Sequence, residues 1–464
     1  MRTFLLSLCW LIVAGCGSEV PPETAGLPGN AAGVTLALGN PDARKGAGST
    51  LTSLDTEHQQ AIEQLIISAR LAVDDGQIPQ AIEALSQAIG IDPSDTRLFH
   101  MRADVYSMSG ELASARADFS SAILADPANA ELRNIRGYFL MTQGVHEDAV
   151  ADFSEAIELD PKLSVAWNNR GLIYLHQGEY AMAVQQFLAA VDCDGEYVDG
   201  WNNLGFAYMK QDKLDQALQN IEQAIGLNPG YIPAWNNRGL INLKAKDYEA
   251  ACTAFTRAIE LADLDPRWYS HRQVVLQKLN RFDEAAADQQ TIVWIGRLSK
   301  FNQHLNRDVR DAARWIARGD CLAKGDRYDA AISDYTNALK LEPDNIDALN
   351  ARARVQAAIG ELTKAMDDCD QSIFIQPTLE ALSIRGDAWL AMNNLDQAIE
   401  DFEAAQHLDE TFAETYRRRA EYHSSKGDKA AEEEDLKAAQ RIEDALAGRL
   451  PAENTEPIPF PDSE

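Results

Sequence analysis

One phrase recurs at a fixed interval and limits the folds open to this chain. Trp167-Asn168-Asn169-Arg170-Gly171-Leu172 is followed by Trp201-Asn202-Asn203-Leu204-Gly205-Phe206 and by Trp235-Asn236-Asn237-Arg238-Gly239-Leu240, each copy 34 residues after the last. A unit of that length holds two short helices and a turn. It cannot bury its own apolar face and must stack on its neighbours. Small residues keep the same beat beyond the three copies. Ala81, Ala115, Ala149, Ala183, Ala217, Ala251 and Ala285 form one series, and Ala88, Ala122, Ala156, Ala190, Ala224 and Ala258 a second. A third runs Ala69, Ala103, Gly137, Gly171, Gly205 and Gly239. A small side chain at one position per unit lets two helices approach closely, and large ones fill the adjoining holes. The candidates are Trp167, Trp201 and Trp235 on the first helix, and Phe119, Phe153, Phe187 and Phe255 on the second. Pro93, Pro127, Pro161 and Pro229 end the second helix, because proline lacks the N–H and biases the residue before it away from helix.

These offsets resemble those of the tetratricopeptide repeat (TPR) family, which places an aromatic residue, a Gly or Ala, an Ala, a Phe, an Ala and a Pro at the same spacing. The resemblance implies an all-α fold: a right-handed superhelical solenoid whose first helices line a concave groove. The count is about eleven repeats, seven over residues 56–299 and four over 312–447, separated by an insertion at 300–311. Phe301, Leu305 and Val309 carry an i, i+4 stripe into Ala313 and Ile316, so the insertion is expected to lengthen the first helix of the next repeat, with a bend between the blocks. Asp428 to Leu446 is highly charged and is expected to cap the stack after the last copy.

Outside the repeats the chain changes character. Residues 1–15 carry one early positive charge and an apolar run too short to span a bilayer, which reads as a secretory signal. Val13-Ala14-Gly15-Cys16 resembles a bacterial lipobox, and that resemblance implies cleavage before Cys16 and lipid attachment to it. Gly17 stands where an inner-membrane retention signal would place Asp, which favours an outer membrane. Residues 16–55 are rich in Gly, Pro, Ala, Ser and Thr and read as a flexible tether. Lys45 to Thr50 only loosely suggests a phosphate loop and lacks its full order of residues. Residues 448–464 are acidic and Pro-rich and read as a disordered tail.

Charge narrows the function. With 42 basic against 72 acidic side chains and a formal charge of -30, the chain lacks the basic footprint that nucleic-acid binding needs. No Gly-x-Ser-x-Gly elbow or Ser-x-x-Lys occurs, and His100, His146, His176, His271 and His304 show no i, i+4 pairing or metal spacing. Cys193, Cys252, Cys321 and Cys369 fall in different repeats without Cys-x-x-Cys spacing, and Cys369 takes a slot that expects a large core residue. The reading is a non-enzyme without metal or cofactor.

The asparagine pairs are the candidate site. Asn is a poor residue inside a helix, so six in three helices need an offsetting role. Helical spacing aligns Asn169 with Leu172 and His176, Asn203 with Phe206 and Lys210, and Asn237 with Leu240 and Lys244. An amide offers donors and an acceptor, so a row of Asn169, Asn203 and Asn237 could grip an extended peptide's backbone, with Asn168, Asn202 and Asn236 beside them. This resembles the asparagine ladder of TPR domains that hold extended substrates. The other reading is that the amides bridge neighbouring helices. Replacing the three clamp residues by Ala is expected to weaken partner capture and leave melting nearly intact. Carboxylate-clamp TPRs place Lys where Asn168, Asn202 and Asn236 stand, which speaks against recognition of a C-terminal chaperone tail. A second surface, Arg297, Lys300, Arg307, Arg310, Arg314 and Arg318, could dock an anionic partner or pair with neighbouring carboxylates, and Arg417-Arg418-Arg419 reads the same way.

The chain therefore reads as a lipid-anchored scaffold of the bacterial cell envelope that binds envelope proteins in its groove. The alternatives are an architectural or self-associating spacer, with homo-oligomerisation, and a non-catalytic cofactor of an envelope protease or cell-wall enzyme.

Overall fold

The computed structural model describes residues 53–405 and 410–447. The signal at 1–15, Cys16 and the tail at 448–464 lie outside the described residues, as does the tether except for residues 53–55, which begin the first helix.

Among the described residues the chain forms 22 α-helices and no strand. The first twelve make six hairpins. These are α1 (Ser53–Asp74) with α2 (Ile78–Ile91), α3 (Thr96–Ser109) with α4 (Leu112–Ala125), and α5 (Ala130–Thr142) with α6 (His146–Leu159). Then come α7 (Ser164–His176) with α8 (Tyr180–Cys193), α9 (Val198–Lys210) with α10 (Leu214–Leu227), and α11 (Ile232–Ala245) with α12 (Tyr248–Leu261). Helix α13 (Pro266–Lys278) packs on α12, and α14 (Phe282–Arg307) follows it. Four more hairpins follow: α15 (Ala312–Ala323) with α16 (Tyr328–Leu341), and α17 (Ile346–Ala358) with α18 (Leu362–Ile375). The last two are α19 (Leu379–Ala391) with α20 (Leu395–Ala404), and α21 (Glu410–Lys426) with α22 (Lys429–Leu446). The chain divides into two compact units between Ala286 and Ala287, within α14.

Local chemistry sets the helix ends. Helices α2, α4, α6 and α10 stop at Asp92, Asp126, Asp160 and Asn228, each the residue before a proline. The turn inside a hairpin needs one residue in the left-handed region. Gly110 supplies it at φ 81°, and at the equivalent positions Asp212 and Lys246 take φ 65° and 64° despite their side chains. Asp95, Asn129, Asp265 and Asp311 accept backbone N–H bonds and so start α3, α5, α13 and α15.

Packing follows the small-and-large pattern. A Cβ added at Gly137 or Gly171 would lie 2.8 or 2.6 Å from a ring carbon of Phe153 or Phe187, so the glycine is the hole into which the ring fits. Gly319 faces Tyr335 and Gly386 faces Phe402 in the same way. Phe153, Phe187, Phe255 and Phe402 are fully buried, each contributing about 2–3 kcal/mol of apolar burial. Cys369 sits wholly buried between Ala353 and Ala365, and burial pushes its thiol up to about 12. All four described cysteines are free thiols.

One expectation is refined and two are corrected. The tryptophans pack against the core clusters as expected but are only half-buried: the Trp167, Trp201 and Trp235 indole N–H groups reach back to the carbonyls of Pro161, Gly195 and Pro229 at 2.8–3.0 Å, which holds the rings at the edge of the stack. The insertion lengthens the preceding helix, not the next one. The apolar face of α14 runs on from Trp294 and Leu298 through Phe301 and Leu305, and only Asp308 and Asp311 break it before α15 starts. Helix α22 is the second helix of the last hairpin, its buried Asp435, Ala439 and Ile442 facing α21, and not an added cap.

Candidate functional site: an amide ladder between repeats

The asparagine pairs of α7, α9 and α11 meet across the repeats. Asn169 donates its Nδ2–H to Asn134 Oδ1 on α5 at 3.0 Å. Asn203 donates to Asn168 Oδ1 at 2.9 Å, and Asn237 to Asn202 Oδ1 at 2.9 Å. The series ends on α13, where His271 Nδ1 lies 2.9 Å from Asn236 Oδ1. A carbonyl oxygen only accepts, so that ring nitrogen carries the proton. Burial, and then the positive charge of Arg267, pushes the His271 pKa below its ordinary value, which keeps the ring neutral.

The second Asn of each pair thus reaches back to the first Asn of the repeat before. Asn168, Asn169, Asn202, Asn203 and Asn237 are buried, and Asn236 is half-buried. Of the two readings of the pairs, bridging between helices is present in the structure. It does not use every amide atom. Nδ2 of Asn168 and Asn236 and Oδ1 of Asn169 and Asn237 make no protein hydrogen bond among the described residues.

The other candidates divide. Leu172 and Phe206 are buried in a core cluster, and Leu240 packs against its edge. His176 is exposed, with its ring centroid 5.3 Å from that of His146, a pairing thirty residues apart in sequence. Lys210 lies over the Phe206 ring at 5.2 Å. Lys244 is exposed but tied down: its Nζ donates to Met209 O at 3.0 Å and pairs with Asp212 at 3.1 Å. Tyr231 donates its hydroxyl proton to Asp199, and burial together with that carboxylate pushes its pKa well up. No group of three metal-ligating side chains occurs among the described residues.

Sequence reasoning missed a second device. Arg136 grips Asp152, sixteen residues on, through Nε at 2.8 Å and Nη2 at 2.6 Å, while its Nη1 reaches Ser120 on the previous hairpin at 3.1 Å. The same fork joins Arg102 to Asp118, Arg318 to Asp334, Arg352 to Asp368, Arg385 to Asp401 and Arg419 to Asp435. The signal was an Arg before the small residue and an Asp sixteen positions later. It settles part of the basic surface, since Arg318 and Arg419 are forked, Arg314 pairs with Asp311, and Arg417 pairs with Glu443. The fork fades where the ladder stands. Arg170 meets the neutral Gln186, Leu204 replaces Arg, and Ala254 stands sixteen residues after Arg238, whose Nε is buried without a partner.

Comparison with known proteins identifies the repeat. Tetratricopeptide-repeat family models match residues 100–164, 153–185, 198–231, 232–265 and 307–380, and a TPR repeat model matches 171–212. The chain is 28% identical over 204 residues to an Hsp70-Hsp90 organizing protein of Triticum aestivum, across 42% of this chain and 32% of that one. It is 32% identical over 114 residues to a DnaJ homolog subfamily C member 3 of Gallus gallus, across 24% of this chain and 21% of that one. It therefore spans a third or less of the length of these relatives. Among solved structures, PilF of Pseudomonas aeruginosa is 20% identical with a TM-score of 0.40, covering 48% of this chain and 99% of that one. YrrB, described as a TPR protein with an unusual peptide-binding site, is 22% identical with a TM-score of 0.31, covering 43% of this chain and all of that one. Hairpins at the family's spacing, with its small and large residues facing one another, make this chain a member of the tetratricopeptide-repeat family.

Proposed function

We propose that the chain is a non-catalytic scaffold that binds extended segments of other proteins along α7, α9 and α11. One observation carries this reading. The ladder spends one donor and one acceptor per rung on neighbouring repeats, yet the Asn168 and Asn236 Nδ2 groups and the Asn169 and Asn237 Oδ1 atoms keep edges with no protein partner among the described residues. A peptide backbone carries an N–H and a C=O at every residue, so such edges suit it whatever its side chains. Rungs tied to one another hold those edges still, which lowers the entropy lost on binding. The repeat family supports a protein–protein role, and the Val13-to-Cys16 sequence supports a lipid tether through Cys16 and a place in the cell envelope.

The test keeps the ladder and removes the edge. Changing Asn168 and Asn236 to Asp leaves an acceptor for Asn203 and His271 and deletes the unbonded donor. Dodecapeptides selected on the purified full chain from a random phage library should bind the Asn168→Asp/Asn236→Asp chain at least about tenfold more weakly, with helicity retained. Equal affinity for the two chains rejects the groove reading. For the tether, labelled fatty acid should enter the wild-type chain in bacterial cells and not the Cys16→Ala chain.

A further inference from the structure

Most of the long helix α14 is free of acidic residues. Its nineteen residues from Gln289 to Arg307 contain no Asp or Glu, in a sequence with 72 acidic residues among 464. Arg297, Lys300, His304 and Arg307 follow one another at steps of three, four and three, so they share one side of the helix. All four are exposed. The neighbouring face, with Trp294, Leu298 and Phe301, packs onto α15 and α16 and fixes which side looks outward, and Leu305 is buried too. Lys324, the residue that ends α15, is exposed as well. Arg310, in the turn after the helix, is exposed too.

These side chains are unlike most other arginines of the unit. Arg314, Arg318, Arg352, Arg385, Arg417 and Arg419 each hold a carboxylate of the same chain. Arg297, Lys300, Arg307, Arg310 and Lys324 hold none among the described residues.

We propose that this row is a docking site for an acidic segment of a partner protein, one presenting carboxylates along about 15 Å, the length of ten helical residues. A bilayer fits less well. Exposed charges act over about 8 Å at physiological salt, so a narrow acidic peptide meets only the basic row, whereas a wide anionic surface also faces the rest of a chain whose net charge is -30. The exposed apolar side chains beside the row are Val293 and Val309, too little surface to seat in lipid.

Fluorescein-labelled deca-glutamate, titrated against the purified full chain by anisotropy, tests the assignment. Saturable binding is expected that weakens as salt rises. The Arg297→Glu/Lys300→Glu/Arg307→Glu chain should lose at least about tenfold in affinity with its circular dichroism unchanged. The neutral Arg297→Gln/Arg307→Gln chain, which brings no new charge to α14, should fall between the two. Equal binding by wild type and both variants overturns the assignment. So does a chain that ignores deca-glutamate and floats with phosphatidylglycerol vesicles.

Discussion

Arg136 and Asp152 form a two-bond fork, Nε and Nη2 of the guanidinium lying 2.8 and 2.6 Å from the two carboxylate oxygens. Asp152 is 3% exposed, so its charge is almost out of water, and Arg136 also reaches Ser120 on the hairpin before. One ion pair therefore ties three helices. Removing one partner of a buried pair strands the other. Asp152→Ala is expected to cost about 3 kcal/mol, and Asp152→Asn less, because the amide still accepts one bond. Urea unfolding followed by circular dichroism measures both, and a change below about 0.5 kcal/mol for Asp152→Ala would show the fork to be ornamental.

The ladder predicts a cost that the sequence reading did not expect. Asn203→Ala removes the donor to Asn168 Oδ1 and opens a small void, so about 1–2 kcal/mol of stability should go, and the triple change at Asn169, Asn203 and Asn237 should lower the melting temperature visibly. Asn203→Asp should cost more, since a carboxylate would then face a carbonyl oxygen. The expectation of nearly intact melting is withdrawn on these bonds. Thermal melts of the single and triple variants decide the matter.

Two glycines should respond in opposite directions. Gly171→Ala puts a Cβ 2.6 Å from Phe187 Cε1 and 3.0 Å from Gln186 Cβ, and the ring is locked in the core, so a loss of about 2–3 kcal/mol is expected. Gly296 lies in mid-helix, exposed, with nothing within 4 Å of an added Cβ. Gly296→Ala should gain about 0.5–1 kcal/mol. Hydrogen exchange on α7 and α14 separates the two effects in a chain of two units.

Acid should loosen one rung. The His271 pKa is depressed from 6.5 in the folded chain, so the unfolded chain binds more protons in the interval below 6.5. Its contribution is full above that value and is lost as the pH falls through the folded pKa. Nδ1–H already donates to Asn236, so Nε2 is the atom that must take the proton in a half-buried place. His271→Asn should rebuild the rung as an amide pair and flatten the stability difference between pH 7.5 and pH 5. Urea midpoints at the two pH values, compared between the chains, check it.

The repeat architecture was legible because each hairpin answers to positions that recur: Gly171 for the Phe187 ring, Pro161 for the end of α6. Eleven first helices followed from that beat alone. What escaped was whatever depends on a partner outside the repeat's own pattern. The sequence could align Asn203 with Phe206 and Lys210 on one helix side, but the bond from Asn203 to Asn168 needed the angle between α9 and α7. The stripe through Phe301 and Leu305 was read forward into α15, because nothing in the residues themselves says on which side of Asp308 the helix breaks. Lys244 is an exposed charge, as the sequence suggested, but nothing in its own helix foretold the bonds to Met209 O and Asp212. The Arg–Asp fork was open to reading and went unread, since its two halves lie on different helices of a repeat and only the regular step of sixteen connects them.

Each rung has a fixed direction. A repeat bearing the pair offers a donor toward the chain start and an acceptor toward the chain end, and all copies are alike in this. Such units are interchangeable. Excising Trp201 to Ala234 would bring Asn237 to the place of Asn203, where Asn168 already waits with its oxygen, and a duplicated unit would slot in as readily. The ladder in the middle of this chain can thus be lengthened or shortened by whole repeats with its pattern of donors and acceptors kept.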